Sequence, residues 1–154
     1  MGIKVCHLYI SREHNFFGHF GKPAGKTPTQ SVDQIECVAG RGIRGDRFFD
    51  YKVDYKGQIT FFAQEVFNEL CERLEVHSRK PDALRRNVVT EGVDLNSLIG
   101  KNFSIQGIEF EGAAECSPCF WMNEALGEGA EAFLKGNGGL RAKILTSGKL
   151  RVDE

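Results

Sequence analysis

Apolar and polar positions change period several times along the chain, and each change marks an element. Ile3 to Ile10 sets Ile, Val, Leu and Tyr among polar residues and predicts an opening strand. Asn15 to Thr29 then mixes Phe16, Phe17 and Phe20 with Gly18, Gly21, Pro23, Gly25 and Pro28, breakers that make it a loop. Val32 to Val38, bounded by Gly40, predicts a second short strand through Val32, Ile35 and Val38. Gln58 to Phe62 is a β-like apolar run, after which Ala63 to Leu74 switches to helical spacing with Val66, Phe67, Leu70 and Leu74 on one face.

Beyond Pro81 the sequence predicts a short strand at Val88-Val89-Thr90, a turn and single helical turn over Glu91 to Gly100, and a hairpin of Phe103–Ile105 and Ile108–Ala113 around Gln106-Gly107. Gly127 and Gly129 break Phe120 to Leu134 into two short helical pieces. Leu140 to Leu145 and Leu150 to Val152 close the chain as strands around Ser147-Gly148. About seven or eight short strands with two or three short helices, lacking strict strand–helix alternation, predict a mainly β fold. The expected architecture is a β-barrel with a few short helices, as one domain over residues 1–154.

Charge narrows the partners. With 154 residues, a net charge of −1 and a pI near 6.4, no global field draws the chain to nucleic acid or an anionic membrane. No apolar run is long enough to span a bilayer, and Met1-Gly2-Ile3-Lys4-Val5-Cys6 lacks a signal peptide's layout, so a cytoplasmic location is expected. Five cysteines, an odd number without framework spacing, favour reduced thiols.

Candidate chemistry centres on Glu115-Cys116-Ser117-Pro118-Cys119-Phe120-Trp121, where two thiols lie beside the sole tryptophan. A cysteine is a nucleophile or soft-metal ligand only as the thiolate. Half of a zinc site is not expected, because Cys6, Cys37, Cys71 and the four histidines offer no second pair at ligand spacing. A thioredoxin-like site would need this motif early, at the start of a long helix in a βαβ unit. A reactive or metal-binding thiol and an inert pair both stay open. Gly40-Arg41-Gly42-Ile43-Arg44-Gly45-Asp46-Arg47, with three glycines and three arginines, reads either as an anion-binding loop or as a solvated turn in which Asp46 pairs with an arginine. Arg85 and Asn87, two apart in an extended segment, would share a face and converge on one ligand.

Taken in order, Lys26-Thr27-Pro28, Gly42 to Arg47, Arg85-Arg86-Asn87-Val88-Val89-Thr90-Glu91-Gly92, Cys116-Ser117-Pro118-Cys119 and Gly139-Leu140-Arg141-Ala142 with Ile144-Leu145 resemble the MOSC domain, the C-terminal domain of molybdenum cofactor sulfurases that also occurs as small stand-alone bacterial proteins. The resemblance implies a barrel-like β domain of the pyruvate-kinase β-barrel type. It further implies molybdenum cofactor (molybdopterin) binding, or sulfur carriage through a cysteine persulfide, with a family-level association with pyridoxal phosphate. Under it, Cys119 is the catalytic thiol and metal ligand, Cys116 its neighbour, and Arg85, Asn87, Thr90, Lys26, Arg44, Gly45, Asp46 and Arg47 are the cofactor-binding residues. The implied partner is a sulfur donor or, for a molybdopterin-dependent reductase of N-hydroxylated compounds, an electron-transfer protein. A non-catalytic cofactor-binding module is the remaining alternative.

Overall fold

The computed structural model describes residues 3–11, 29–75, 85–116 and 128–153. Its ten strands are β1 (Lys4–Ile10), β2 (Gln30–Val32), β3 (Gln34–Val38), β4 (Gly42–Ile43), β5 (Ile59–Ala63), β6 (Val88–Glu91), β7 (Asn102–Ile105), β8 (Ile108–Glu115), β9 (Leu140–Ile144) and β10 (Gly148–Arg151). Two helices, α1 (Gln64–Arg73) and α2 (Ala130–Leu134), and a 3-10 turn at Leu95–Leu98 complete the described elements.

Seven strands form one mixed sheet in the order β2-β1-β6-β5-β9-β8-β7, and β10-β3-β4 form a second. Among the described strands only β5 and β6 pair in parallel, with Phe61 opposite Val88 and Ala63 opposite Thr90. The expected closed barrel is not seen among the described strands, whose ladder runs from β2 to β7 without joining its ends. Instead the two sheets enclose one core, to which Val5, Leu8, Phe61, Phe110 and Leu140 come from the large sheet and Ile35, Cys37, Ile43 and Leu150 from the small one. Phe61, Phe103 and Phe110 pack there with ring centroids 5.4–5.6 Å apart.

The single strand expected over Val32–Val38 is two. Asp33 separates β2, which pairs with β1, from β3, which pairs with β10 and β4, so the chain changes sheets at that residue. The helical spacing after Phe62 produces α1, which buries Phe67 and Leu70 against Phe62 and against Ala130 and Leu134 of α2. This second, smaller cluster covers part of the outer face of the large sheet. The two helical pieces expected over Phe120–Leu134 are described only from residue 128 onward; the rest of that segment lies outside the described residues.

The hairpin falls where Gln106-Gly107 places it, with Phe103 opposite Phe110. Gln106, at φ 52, directs its amide across to the other sheet, where its Oε1 accepts from Arg151 N at 2.9 Å and its Nε2 donates to Arg151 O at 2.8 Å. Among the described residues no helix is long and apolar enough to cross a membrane.

Candidate functional site

β8 ends at Glu115, and Cys116 continues its pairing with the start of β9: Ala114 lies opposite Arg141, Glu115 opposite Leu140, and Cys116 N donates to Gly139 O at 2.8 Å. Alternation then puts Cys116 on the outer face with Ala114 and Arg141, while Leu140, Ala142 and Ile144 face the core. The Cys116 side chain is buried. Burial pushes its thiol above the ordinary value, Arg86 and Arg141 pull it back, and Glu115 adds to the rise.

Gly139 fixes how closely these pieces approach. A Cβ there would stand 2.3 Å from the Phe61 carbonyl oxygen and 3.4 Å from Arg86 Nε. The Arg86 Nε donates to Gly138 O at 2.9 Å, and Gly138 N donates to Glu115 Oε2 at 3.4 Å. On its other side Gly139 borders a cleft of about 350 Å³, whose lining includes Glu65, Asp94, Asn96 and Asn137 at the C-terminal ends of the parallel strands.

The glycine–arginine loop divides. Arg41 pairs with Asp50 and lies 4.6 Å over Phe49. Arg44 pairs with Glu36 at 3.2 Å and also lies over Phe49, so both cations are spent at the solvent-facing side of the loop. Gly45, at φ 89, turns the chain. Asp46 is buried and structural: Oδ1 accepts from Ser11 N at 3.0 Å and Oδ2 from Phe48 N at 3.3 Å. Arg41 and Arg44 are thus held by Asp50 and Glu36, while Asp46, buried rather than solvated, lies beside Arg47.

Arg47 behaves differently. Its side chain is 9% exposed, with Nη1 3.5 Å from Asp46 Oδ1, Nη2 donating to Arg85 O at 3.4 Å, and the guanidinium 4.7 Å over the Phe48 ring. Its buried Nε has no hydrogen-bond partner among the described residues. Burial lowers its pKa, opposed by Asp46 and reinforced by the nearby Arg86 charge. A buried guanidinium with an unused donor beside a second cation is a place where an anion is favoured.

Arg85 and Asn87 do not share a strand face, because β6 begins only at Val88 and Arg85 is held at φ 60 before it. Arg85 remains beside Arg47 through its carbonyl. The Asn87 amide is committed within the fold: Oδ1 accepts from Thr60 N at 3.0 Å and Thr60 Oγ1 at 3.1 Å, and Nδ2 donates to Tyr9 O at 3.2 Å. It clamps β1, β5 and β6 at the level of the arginines. Thr90 is fully buried between Val5 and Ala63, away from them, and its hydroxyl has no partner among the described residues. Lys26 and Cys119 lie outside the described residues.

The contribution that sequence reading missed is Arg86 and Arg141. Arg86 lies inside the Arg85 to Gly92 motif, where the alternation of Arg85 and Asn87 points to its neighbours instead. The signal for Arg141 was its place as the polar residue in an alternating strand. Among the described residues no three His, Cys, Asp or Glu side chains gather as metal ligands.

The site is therefore an arginine-flanked thiol on the outer face of a mixed β-sheet. The sequence profile of the MOSC domain matches residues 19–154 of this chain, which belongs to that family, one associated with molybdenum-cofactor-related proteins. Its fold is similar to that of the YuaD protein from Bacillus subtilis, with a TM-score of 0.76 at 20% identity over 99% of this chain and 92% of that one. YiiM from Geobacillus stearothermophilus aligns with a TM-score of 0.69 at 12% identity, covering 97% of this chain and 71% of YiiM. A DEAD-box ATP-dependent RNA helicase 48 from Oryza sativa subsp. japonica is 28% identical over 126 residues, 71% of this chain but only 15% of the helicase.

Proposed function

We propose that this chain binds an anionic, phosphate-bearing molybdenum cofactor at the arginine cluster and uses its Cys-Ser-Pro-Cys thiols to carry sulfur to, or ligate, the metal centre. The observation that carries this reading is Arg47: a buried guanidinium whose carboxylate partner, Asp46, leaves its Nε donor without a partner among the described residues, and which the nearby Arg86 charge makes a favourable place for a further anion. The donor set fits the group, since guanidinium forks suit phosphate and a sulfur ligand suits molybdenum. Arg47 and Arg86 would hold the phosphate, with Arg85 beside them. When bound, the cofactor would supply a redox-active metal centre.

The two cysteines divide the work. Cys116, buried and with a raised pKa, stays a neutral thiol at pH 7 and serves as the accessory neighbour. Cys119, three residues on, is the carrier in this reading. Its thiolate attacks the outer sulfur of a persulfide on the donor protein, the new S–S bond forms on Cys119, and the donor leaves as a thiolate.

The test is a titration of wild type, Arg47→Gln and Arg44→Gln with released molybdopterin, beside intact-mass analysis after exposure to a persulfide donor. A buried charge-assisted contact contributes roughly 1.5–3 kcal/mol, so Arg47→Gln should bind about ten-fold or more weakly while Arg44→Gln stays near wild type. Equal affinity of wild type and Arg47→Gln overturns the cofactor assignment. A mass gain of one sulfur that Cys119→Ser abolishes supports the carrier, whereas turnover of an N-hydroxylated compound by the molybdenum-loaded protein identifies the reductase.

A further inference from the structure

β9 turns Arg141 and Lys143 away from the core, and both are gripped by the same loop. Lys143 Nζ lies 2.7 Å from Asp54 Oδ1, and the Arg141 guanidinium sits 5.4 Å over the Tyr55 ring. Tyr55 is itself held in a cluster of rings, 5.4 Å from Phe48 and 5.0 Å from Tyr51. Gly57 leaves the slot they occupy: a Cβ there would stand 3.1 Å from Tyr55 Cε2 and 3.2 Å from Arg141 Nε. Across the sheet, Ala114 opposite Arg141 and Cys116 bonded to Gly139 place Arg141 and Cys116 as diagonal neighbours on one face, within reach of a long side chain.

We propose that Arg141 is a positioning residue of the thiol site, clamped by Tyr55, Gly57 and the Lys143–Asp54 pair so that its cation faces Cys116 and makes that position selective for anionic reactants. The inference extends the reading of Cys116 as the accessory thiol, but it concerns the protein without cofactor. The charged groups acting on Cys116 are Arg86 and Arg141, which favour an anion, and Glu115, which opposes one. The clamp explains why so exposed a loop carries an aromatic cluster: ring packing fixes Tyr55, and Tyr55 fixes the guanidinium.

The experiment compares two alkylating agents of similar size, iodoacetate and iodoacetamide, at Cys116 in the full chain, with fragmentation mapping to separate Cys116 from Cys119. Their rate ratio reports local potential independently of how accessible the thiol is. At the roughly 7–8 Å typical of diagonal cross-strand neighbours, one partly screened cation changes that ratio by about five-fold. Arg141→Gln should lower it by that factor, Arg141→Lys should restore most of it, and Tyr55→Leu should fall between. Thermal melts establish that each variant is folded. A ratio unchanged in folded Arg141→Gln overturns the proposal, and loss of cofactor binding elsewhere leaves the measurement untouched.

Discussion

Gly139→Ala tests the closeness of approach on which the site depends. At φ 109 this residue occupies a conformation that costs an L side chain about 1–2 kcal/mol by itself. The added methyl would also stand 2.3 Å from the Phe61 carbonyl, so the start of β9 must recede from β5. That movement weakens the Phe61–Leu140 pairing and the bond from Cys116 N to Gly139 O, at about 1 kcal/mol each. The sum is about 3–4 kcal/mol. Gly136→Ala is the internal control, since it shares a positive φ of 85 in the same turn but meets nothing within 4 Å. It should cost about 1 kcal/mol. At about 2–4 °C per kcal/mol for a chain of this size, Gly139→Ala should lower Tm by about 10 °C and Gly136→Ala by about 3 °C. Equilibrium urea unfolding and calorimetry read both, and variants within 1 kcal/mol of each other would refute the claim that the Phe61 carbonyl forbids a side chain there.

Three further outcomes follow from the core. Asn87→Ala, which strips partners from Thr60 and the Tyr9 carbonyl, should cost about 2–3 kcal/mol in urea unfolding. Thr90→Val removes a buried hydroxyl with no partner among the described residues, so it should leave stability unchanged or raise it by up to about 1 kcal/mol, with molybdopterin affinity intact. Burial pushes Cys37 up to about 12 from its usual 9.0, so the unfolded chain releases this proton first. Its stabilising effect is complete below pH 9 and is lost as pH rises toward 12, by about 1.4 kcal/mol per unit. Cys37→Val should make the alkaline loss of stability shallower by that slope.

Local periodicity carried most of the elements because each rests on its own residues. Val66, Phe67, Leu70 and Leu74 define α1 whatever surrounds them, and Gln106-Gly107 define their hairpin. The split at Asp33 was hidden, since Val32 and Ile35 are apolar on both sides of it and only pairing with different sheets separates them. Closure into a barrel, which the described strands do not show, is equally beyond local pattern: strand count is local, whereas strand order is a property of distant contacts. For the candidate site, motif order names Arg47, Arg85 and Cys116. Which arginines are spent was illegible, because Asp50 and Glu36 capture Arg41 and Arg44 through folding alone. Asn87 shows the limit most clearly. An amide in a ligand-like position is turned inward by Thr60, a partner 27 residues away.

The Gln106 amide has a consequence for how this protein coexists with itself. β10 borders the three-stranded sheet on one side, and a bordering strand exposes backbone donors and acceptors to any extended chain that meets it. By taking both the N–H and the carbonyl of Arg151, the Gln106 side chain fills the rung that an incoming strand would need. One residue at the tip of a hairpin thus imitates a neighbouring strand for the length of a single rung, and guards that end of β10 against recruitment into an intermolecular sheet.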